Sequence, residues 1–396
     1  MNILIAGGGI GGATAALCLH HFGHQVRVLE QAAQPDEVGA GIQISPNGMK
    51  VFQALQVDRR IAKTAFCPQA LEMRIGTSGR KIFSIPAGAQ ALARWGAPYL
   101  HIHRADLLSA LHAELAARAP NVLRLGTQVT GYTQTETHVD VQCADGAPMR
   151  CDVLIAADGI HSAIRAQMLG PDTPRFTGNV AWRATVPMSA LGALAPPPTA
   201  CVWVGPGRHA VTYRLRGGAL ANFVGVVERD DWRHESWTLE GSRQDALADF
   251  AGWHPIVRQV IASAGTYFRW ALYDRAPLAT WTEGRVALLG DACHPTLPFM
   301  AQGACMAIED AWVLAASLTK APTRPARALN AYFASRIART SALQRAARAN
   351  AKTFHKRSVV QRVATYGPMW LAGKLAPGFV NARQDWIYGH DVTASP

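Results

Sequence analysis

The stretch from Met1 to Glu30, MNILIAGGGIGGATAALCLHHFGHQVRVLE, decides the fold. Its apolar run at residues 2–6 predicts a buried parallel strand, and the run at residues 25–29 predicts a second one. Between them, glycines in the spacing G-x-G-x-x-G open an Ala/Leu-rich segment, which predicts a helix to about Phe22. This order of strand, glycine turn, helix and strand is typical of a dinucleotide-binding unit.

The glycines and the acid of this stretch each suit a nucleotide. Gly7 permits a tight turn, Gly9 lets backbone N–H groups approach a pyrophosphate, and Gly12 allows close packing of helix on strand. The positive end of the helix dipole would favour the phosphates. Glu30 follows the second strand, where its carboxylate can accept hydrogen bonds from ribose hydroxyls. The sequence therefore predicts a bound dinucleotide.

Two later strands deliver an aspartate at their carboxyl ends. CDVLIAADG ends in Asp158-Gly159, and GRVALLGD ends in Asp291, with a Pro-rich loop and a helix from about Gly303 beyond it. Beside the fingerprint strand, such acids would lie near sugar hydroxyls, and the helix start would aim N–H groups at an anion. Taken singly, each aspartate could instead be a strand-end turn residue.

Together, these three segments resemble the motifs of the single-component FAD-dependent aromatic hydroxylases, the family of para-hydroxybenzoate hydroxylase. The resemblance extends over essentially the whole chain, and His103-Arg104-Ala105-Asp106-Leu107 resembles the family's arginine-bearing helix start. The strings GAGIQISPN (Gly39 to Asn47), GDACHP with MAQGACMAIEDA, and DWIYGHD (Asp385 to Asp391) resemble one branch in particular. That branch holds salicylate hydroxylase, 3-hydroxybenzoate 6-hydroxylase and 6-hydroxynicotinate 3-monooxygenase.

The resemblance implies an α/β fold, in which a Rossmann-like FAD domain carries an inserted, mainly antiparallel β-sheet substrate domain and a helical C-terminus. It implies a monooxygenase that hydroxylates a small hydroxylated aromatic carboxylate, of hydroxybenzoate, salicylate or hydroxynicotinate type. NADH or NADPH would be the co-substrate, and a flavin C4a-hydroperoxide would transfer oxygen from O2. Two alternatives stay open: a flavin reductase or dehydrogenase without oxygen insertion, and a non-catalytic FAD-binding redox sensor.

Local composition and hydrophobic pattern divide the chain into predicted domains. Segments rich in Val, Trp, Tyr and Thr in alternating patterns predict a largely antiparallel sheet, inserted so that a cleft forms at the domain junction. The predicted FAD domain is discontinuous and comprises residues 1–70, 100–175 and 275–345. The predicted substrate domain comprises residues 71–99 and 176–274, and residues 346–396 form a C-terminal helical segment. The pattern is helical from Asn330 to about Lys356, and a second helical piece is punctuated by Gly367-Pro368 and Pro377-Gly378.

The candidate site residues follow from the motifs and the resemblance. Those expected to contact FAD are Gly7, Gly9, Gly11, Gly12, Glu30, Gln31, Gln43, Arg104, Val129, Asp158, Asp291, Gly303, Ala304 and Cys305. Those expected to line the substrate pocket are Gln43, Cys201, His209, Tyr213, Pro298 and Phe299.

His209 and Tyr213 are the candidate catalytic residues. Together with Cys201, they resemble substrate-wall positions of 6-hydroxynicotinate 3-monooxygenase. In a strand, His209, Val211 and Tyr213 share one face. A histidine of ordinary pKa can take a phenolic proton near neutrality. The alternative is that His209 caps a turn after Gly205-Pro206-Gly207 and that Tyr213 belongs to the core.

The chain also departs from the hydroxynicotinate enzyme, which carries histidines where this chain has Gln43 and Phe299. Gln43 resembles the 3-hydroxybenzoate hydroxylases instead, and Phe299 makes its wall apolar. A benzoate-type substrate is therefore at least as well supported as a pyridine. Pro295 and Pro298 predict a rigid loop over the flavin, and His294, which precedes a proline, is expected to be structural.

Composition limits the other possibilities. The chain has 396 residues, of which 49% are hydrophobic and 17% charged, as in globular proteins. No signal peptide, membrane span or metal-ligand spacing is recognisable, and seven scattered cysteines indicate a reduced, cytoplasmic protein. The net charge is +12, and basic residues dominate between Arg324 and Arg362. This stretch is interpreted as a solvated helix face rather than a nucleic-acid site, so the expected partners are a small aromatic acid and O2, for a monomer or homodimer.

Overall fold

A computed structural model describes residues 1–34, 40–172, 174–229 and 239–394. The strands are β1 Asn2–Ala6, β2 Gln25–Leu29, β3 Gly41–Ile44, β4 Ala70–Ile75, β5 Lys81–Pro86, β6 Leu100–His103, β7 Leu123–Arg124, β8 Val129–Gln134, β9 Val139–Cys143, β10 Met149–Cys151, β11 Val153–Ala156, β12 Arg175–Pro187, β13 Ala200–Gly205, β14 Arg208–Leu215, β15 Leu220–Glu228, β16 Phe268–Asp274, β17 Thr282–Glu283 and β18 Val286–Leu288. The helices are α1 Ile10–His21, α2 Pro46–Ala54, α3 Asp58–Ala62, α4 Ala89–Trp95, α5 Arg104–Arg118, α6 Ala163–Leu169, α7 Arg243–Asp249, α8 Pro255–Ser263, α9 Gly303–Lys320, α10 Pro325–Phe354, α11 Val359–Leu375, α12 Pro377–Ala382 and α13 Asp385–Tyr388.

Strand β1 lies inside a six-stranded sheet with the order β17-β18-β11-β1-β2-β7. It pairs in parallel with β2 and β11, and β11 pairs in parallel with β18. Ala6 is in register with Ala156, and Ala156 with Leu288, so the chain leaves all three strands at one edge. The two strands predicted from the opening stretch are confirmed with the bounds Asn2–Ala6 and Gln25–Leu29.

Helix α1 packs closely on the glycine turn before it. It ends at His21, one residue before the predicted Phe22. A Cβ at Gly12 would lie 1.9 Å from the carbonyl oxygen of Gly7, so a side chain at this position is excluded. The alanines of α1 are buried, and α9 packs beside them. The glycine fingerprint thus fixes the helix against the sheet.

A second sheet has seven strands in the order β16-β12-β15-β14-β13-β4-β5. Its neighbours are antiparallel except for β13 and β4, which are parallel. Trp182, Phe223 and Val257 belong to an apolar layer between one face and helices α7 and α8. Residues 230–238 of this insertion lie outside the described residues. The predicted fold class, an α/β protein with an inserted, mainly antiparallel sheet, is confirmed.

The antiparallel pair β3–β6 connects the two sheets. Gln43 of β3 pairs with His101 of β6, and β6 contacts β14 of the second sheet. The backbone N–H of Gly41 donates to Asn222 Oδ1 of β15 at 2.8 Å. Of the predicted motif at residues 39–47, Gly39 lies outside the described residues. The remainder forms β3 and the start of α2.

The C-terminal region is helical, as predicted, but its boundaries differ. Helix α10 begins at Pro325 rather than Asn330, with proline in its first turn, where its missing N–H is not needed. Helix α11 continues through Gly367-Pro368, where an interruption was predicted. Tyr366 and neighbouring apolar residues of α11 pack on Met73 and Ile82, and this packing outweighs the roughly 3 kcal/mol that an interior proline costs. Among the described residues, no helix has the length and apolar character needed to cross a membrane.

Candidate active site

A cavity of about 710 Å³ runs from the carboxyl edge of the first sheet to the inner face of the second. Motif positions line its nucleotide end, namely Gly7, Gly9, Gly11, Glu30, Gln31, Arg104, Val129, Asp158, Asp291, Gly303 and Ala304. Residues of the predicted substrate pocket line its other end, namely Gln43, His209, Tyr213, Pro298 and Phe299. The structure therefore brings residues from distant parts of the sequence to one cavity.

The glycine turn offers backbone to the cavity. Gly7 has φ +98°, and a Cβ there would lie 2.3 Å from the carbonyl oxygen of Ala157. Gly9 is the N-cap of α1 and makes no side-chain cap, and a Cβ on it would meet no atom within 4 Å. A pyrophosphate can therefore approach the start of α1, where the first N–H groups have no partner within the helix.

Glu30 fixes the turn as well as facing the cavity. One carboxylate oxygen accepts from the backbone N–H of Gly8 at 2.6 Å, and the other accepts from that of Ala32 at 2.9 Å. Each carboxylate oxygen has two acceptor sites, so capacity is left for ribose hydroxyls. The sequence predicted the acceptor role, whereas the anchoring of the glycine loop becomes visible only in the structure.

Asp158 carries an unsatisfied acceptor beside the cavity. Its Oδ2 accepts from the backbone N–H of Ile164 at 3.4 Å, which is the turn role considered above. Its Oδ1 is buried and has no hydrogen-bond partner among the described residues. Burial raises the pKa of this carboxyl. A buried orphan acceptor fits a ligand hydroxyl, and Asp291 lines the same cavity from an exposed position.

Helix α9 opens towards the cavity. Its N-cap residue, Gln302, makes no side-chain cap, and Gly303 and Ala304 in the first turn line the cavity. Unpaired N–H groups and the helix dipole make this end suited to an anionic or carbonyl edge of a ligand. The Gln302 side chain is buried and donates to Ser45 Oγ at 2.9 Å, which ties α9 to the N-cap of α2.

His209 and Tyr213 line one wall from the same face of β14, together with Val211. His209 lies within the strand, so the alternative interpretation as a turn cap is wrong. Tyr213 packs at 4.8 Å from the His101 ring and also belongs to a small buried cluster with Leu215. It is therefore part of both core and cavity.

The electrostatic surroundings of His209 differ from those assumed above. The ring is buried, and burial, with His355 beside it, holds the pKa of His209 well below its ordinary value. Its Nδ1 lies 2.7 Å from Nε2 of His355. His209 is thus neutral at pH 7 and hydrogen-bonded away from the cavity at one nitrogen.

Gln43 of β3 and Phe299 of the loop before α9 both line the cavity. The hydroxyl of Tyr99 donates to Gln43 Oε1 at 2.6 Å, which leaves the amide nitrogen of Gln43 as a donor. Phe299 lies in a short 3-10 turn, Pro298–Met300, and its ring meets His209 edge-on at 5.1 Å. One polar and one apolar group therefore flank the histidine wall.

Sequence reasoning missed part of this wall. Arg183 of β12 lines the cavity, with its guanidinium carbon 5.0 Å from the ring centre of Trp270 on β16. A cation stacked on an aromatic face is stabilised and held in place. The signal was present as a lone arginine in an alternating strand, but nothing local indicates which face meets a ligand.

His294 is buried and hydrogen-bonded to Asp310, whose other oxygen accepts from Arg336 Nε at 2.7 Å. Burial opposes charge on His294, but Cys293 and Asp310 hold its pKa well above the ordinary value. Cys293, His294 and Asp310 lie within 4.8 Å of one another, as metal ligands would. The guanidinium of Arg336 already supplies positive charge beside Asp310. We therefore interpret Cys293, His294 and Asp310 as part of an ion-pair network and not as a metal site.

Three predicted site residues do not line the cavity. Gly12 packs on Gly7, inside the turn. Cys201 pairs with Thr212 of β14, and paired residues point to the same face of a sheet. Thr212 points away from the face that carries His209 and Tyr213, so Cys201 lies in the apolar layer on the other side. The Cys305 sulfur accepts from the Ser45 hydroxyl at 3.3 Å and so points towards α2. The prediction that Cys201 lines the substrate pocket is therefore wrong, and the side chain of Cys305, predicted to contact FAD, does not line the cavity.

Comparison with known proteins gives consistent matches. A family model described as FAD binding domain matches residues 1–347. The chain is 37% identical over 393 residues to 3-hydroxybenzoate 6-hydroxylase of Polaromonas naphthalenivorans, covering 99% of this chain and 96% of the relative. It is 34% identical over 399 residues to 6-hydroxynicotinate 3-monooxygenase of Pseudomonas fluorescens, covering 100% and 96%.

Among solved structures, HpxO of Klebsiella pneumoniae complexed with FAD and uric acid superposes with a TM-score of 0.86. The two chains are 30% identical, and the match covers 98% of this chain and 97% of the other. The likeness extends over both sheets and the C-terminal helices.

Proposed function

This chain belongs to the FAD-dependent aromatic hydroxylases, and on that premise we propose that it hydroxylates a small aromatic carboxylate that already bears a ring hydroxyl, using NADH or NADPH and O2. The observation that carries the proposal is the continuous cavity, which joins the glycine turn and the start of α9 to the wall formed by His209 and Tyr213. FAD, when bound, supplies the redox chemistry with nicotinamide and oxygen that side chains lack.

The residues proposed to hold FAD act at separate parts of the cofactor. The N–H groups after Gly9 take the pyrophosphate, and Glu30 accepts from the adenosine ribose. Asp158 and Asp291 accept hydrogen bonds from hydroxyl groups between the adenosine ribose and the flavin ring. The first turn of α9 faces the flavin ring. The orphan Oδ1 of Asp158 and the open space at Gly9 support this fit.

Substrate binding is proposed to use both charge and apolar surface. Arg183, held on Trp270, pairs with the carboxylate, and Tyr213 and Gln43 orient the ring substituents. His209 accepts the phenolic proton, which makes the ring more electron-rich. Because Phe299 removes a polar partner that a pyridine would use, a hydroxybenzoate suits this cavity better than a hydroxynicotinate.

Three further expectations accompany this proposal. We keep the division into an FAD domain (1–70, 100–175, 275–345), a substrate domain (71–99, 176–274) and a helical segment (346–396). We propose a cytoplasmic location, since all seven cysteines are free. We also propose that the chain works as a monomer or homodimer, without nucleic-acid or membrane partners.

The test is a substrate screen on purified protein. 3-Hydroxybenzoate, salicylate and 6-hydroxynicotinate are each added with NADH or NADPH, and oxygen uptake, peroxide and product mass are followed. A product one oxygen atom heavier, or its decarboxylated form, with little peroxide supports hydroxylation. Nicotinamide oxidation that yields only peroxide with every acid would identify a reductase, and tight FAD without turnover would identify a redox sensor.

A further inference from the structure

A chain of hydrogen bonds leads from the cavity wall to the protein surface. His209 Nδ1 lies 2.7 Å from His355 Nε2, and His355 Nδ1 lies 3.1 Å from Glu228 Oε1. The second oxygen of Glu228 accepts from Arg357 Nε at 2.9 Å. The four groups come from β14, β15 and the loop after α10, so no local sequence pattern could have joined them.

Exposure increases along the chain. His209 is 2% exposed and His355 is 5% exposed, whereas the side chain of Glu228 is 31% exposed and that of Arg357 is 72% exposed. The rings of Phe299 and Phe354 lie 5.1 Å from the His209 ring and shield it from water. Two hydrogen bonds therefore link a nearly buried ring at the cavity wall to a surface carboxylate.

The acceptor at the outer end fixes the direction of every bond. An ionised carboxylate only accepts, so Nδ1 of neutral His355 carries hydrogen and its Nε2 is bare. That bare Nε2 must accept from Nδ1–H of His209, which leaves Nε2 of neutral His209 bare as well. No described residue donates to His209 Nε2, and His209 lines the cavity. The base thus faces the substrate.

We propose that His209, His355 and Glu228 form a proton relay that carries the phenolic proton of the bound substrate to the surface and returns it to the product. The inference rests on the proposed function, because it requires a hydroxylated ring against His209. In the outward direction, the phenol O–H proton binds His209 Nε2 and the His209 Nδ1 proton passes to His355 Nε2. The His355 Nδ1 proton passes through Glu228 to water, so one proton leaves and each imidazole changes tautomer.

The return restores the starting state. When the ring oxygen of the product takes its proton back, each step runs in reverse and both imidazoles regain their first tautomer. His355 is the C-cap of α10, where the helix dipole stabilises the transient positive charge of a protonated ring. Arg357 occupies one oxygen of Glu228 and leaves the other for His355. Only His209 is a catalytic residue here; His355 and Glu228 act through it.

The relay is tested with His355→Gln and Glu228→Gln, which keep hydrogen-bonding side chains of similar size but cannot pass a proton on. Holoenzyme is mixed with 3-hydroxybenzoate, salicylate or 6-hydroxynicotinate in weak buffer with a pH indicator, and proton release on binding is followed by stopped flow. Release should slow by about ten- to a hundredfold in both variants, with FAD content and unfolding temperature near wild type. Glu228→Gln changes a partly exposed side chain, so we expect it to fold even if His355→Gln does not.

His24→Gln is the matched control, because His24 is also buried and makes one hydrogen bond, to Thr319 Oγ1 at 3.0 Å, away from the cavity. It should release protons as wild type does. Wild-type release rates in Glu228→Gln, or in a folded His355→Gln, would overturn the relay while leaving the proposed function intact. If wild type forms no hydroxylated product from any of the acids, the proposed function fails, and the relay fails with it.

Discussion

At the scale of single residues, burial decides which groups along the cavity carry charge. It lowers the pKa of His209, which stays neutral at pH 7, and raises that of Asp158. The positive charge at the substrate wall is left to Arg183, which keeps its charge on the face of Trp270. At the substrate wall, the guanidinium of Arg183 beside the neutral imidazole of His209 suits an aromatic monoanion.

Glu30→Ala is expected to weaken FAD binding more than the loss of ribose contacts alone would suggest. The substitution removes ribose acceptors and also releases the Gly8 and Ala32 N–H groups. Hydrogen bonds to charged groups contribute about 1.5–3 kcal/mol each, so affinity should fall at least about tenfold. Flavin fluorescence during dilution measures the change, and unchanged retention would refute the placement of the adenosine end.

His209→Asn and Tyr213→Phe should retain FAD but lose hydroxylation. Removing a general base lowers rates by about 10²–10⁴-fold, and Tyr213→Phe should cost less because it affects orientation only. Nicotinamide oxidation should become uncoupled and yield peroxide, because the ring is no longer activated.

Cys201→Ala provides the control for this pair. Cys201 lies on the opposite face of the sheet from the cavity, in the apolar layer with Trp203, so its loss should reduce stability and leave coupling unchanged. Product yield per nicotinamide oxidised measures all three variants. Full coupling in both His209→Asn and Tyr213→Phe would remove this wall from the site.

At the scale of elements, a helix or strand could be predicted from the sequence when the residues that determine it are close together in the chain. The pattern that determines β1, the glycine turn, α1 and β2 lies within residues 1–30, so their bounds could be predicted almost to the residue. The face that Cys201 presents was not, because it depends on its register with β14. The pairing of His209 with His355 spans 146 residues and likewise has no local signal.

Helix α11 shows how packing overrides a local signal, and its two glycines offer a test. Gly367 has open space where a Cβ would go, so Gly367→Ala should raise the free energy of unfolding by about 0.5–1 kcal/mol. At Gly373, a Cβ would lie 2.9 Å from Cβ of Phe83, and alanine there should destabilise. Chemical denaturation measures both. Equal effects of the two substitutions would show that α11 does not pack on β5 as described.

At the scale of the whole molecule, several histidines are buried without charge. Burial lowers the pKa of His101 to about 3 and lowers those of His209 and His355 as well. His294 is the exception, since Asp310 and Cys293 keep its pKa raised despite burial. Protonating these neutral histidines is less favourable in the folded protein than in the unfolded chain, so acid should destabilise the fold.

Stability should accordingly fall as the pH drops below the ordinary histidine value of 6.5. The unfolded chain binds protons there while His101 and His209 in the folded protein do not, so each contributes about 1.4 kcal/mol of loss per pH unit. Above 6.5 their contribution is complete, and His294, protonated in both states below 6.5, adds no slope in this window. Thermal unfolding at pH 6.5 and 5.5 measures the loss, because His294 contributes a slope of opposite sign above pH 6.5.

His101→Phe should recover about 1.4 kcal/mol of the loss at pH 5.5, because it removes one buried titrating ring and keeps an aromatic group beside Tyr213. His20→Gln is the control, since His20 is exposed on α1. An identical pH slope in wild type and His101→Phe would show that this ring is protonated in the folded state.

The strand order of the first sheet has a consequence for biosynthesis. β1 and β2 leave the ribosome first, but the neighbours β11 and β18 follow only after about 150 and 280 residues, and α9 follows later still. The groove for the nucleotide is therefore incomplete until most of the chain has been translated, and its closure waits on contacts of long sequence separation. Loading of flavin is thus a late step of maturation, and a ribosome-bound chain halted before Gly290 lacks both the second acid and the helix that complete the groove.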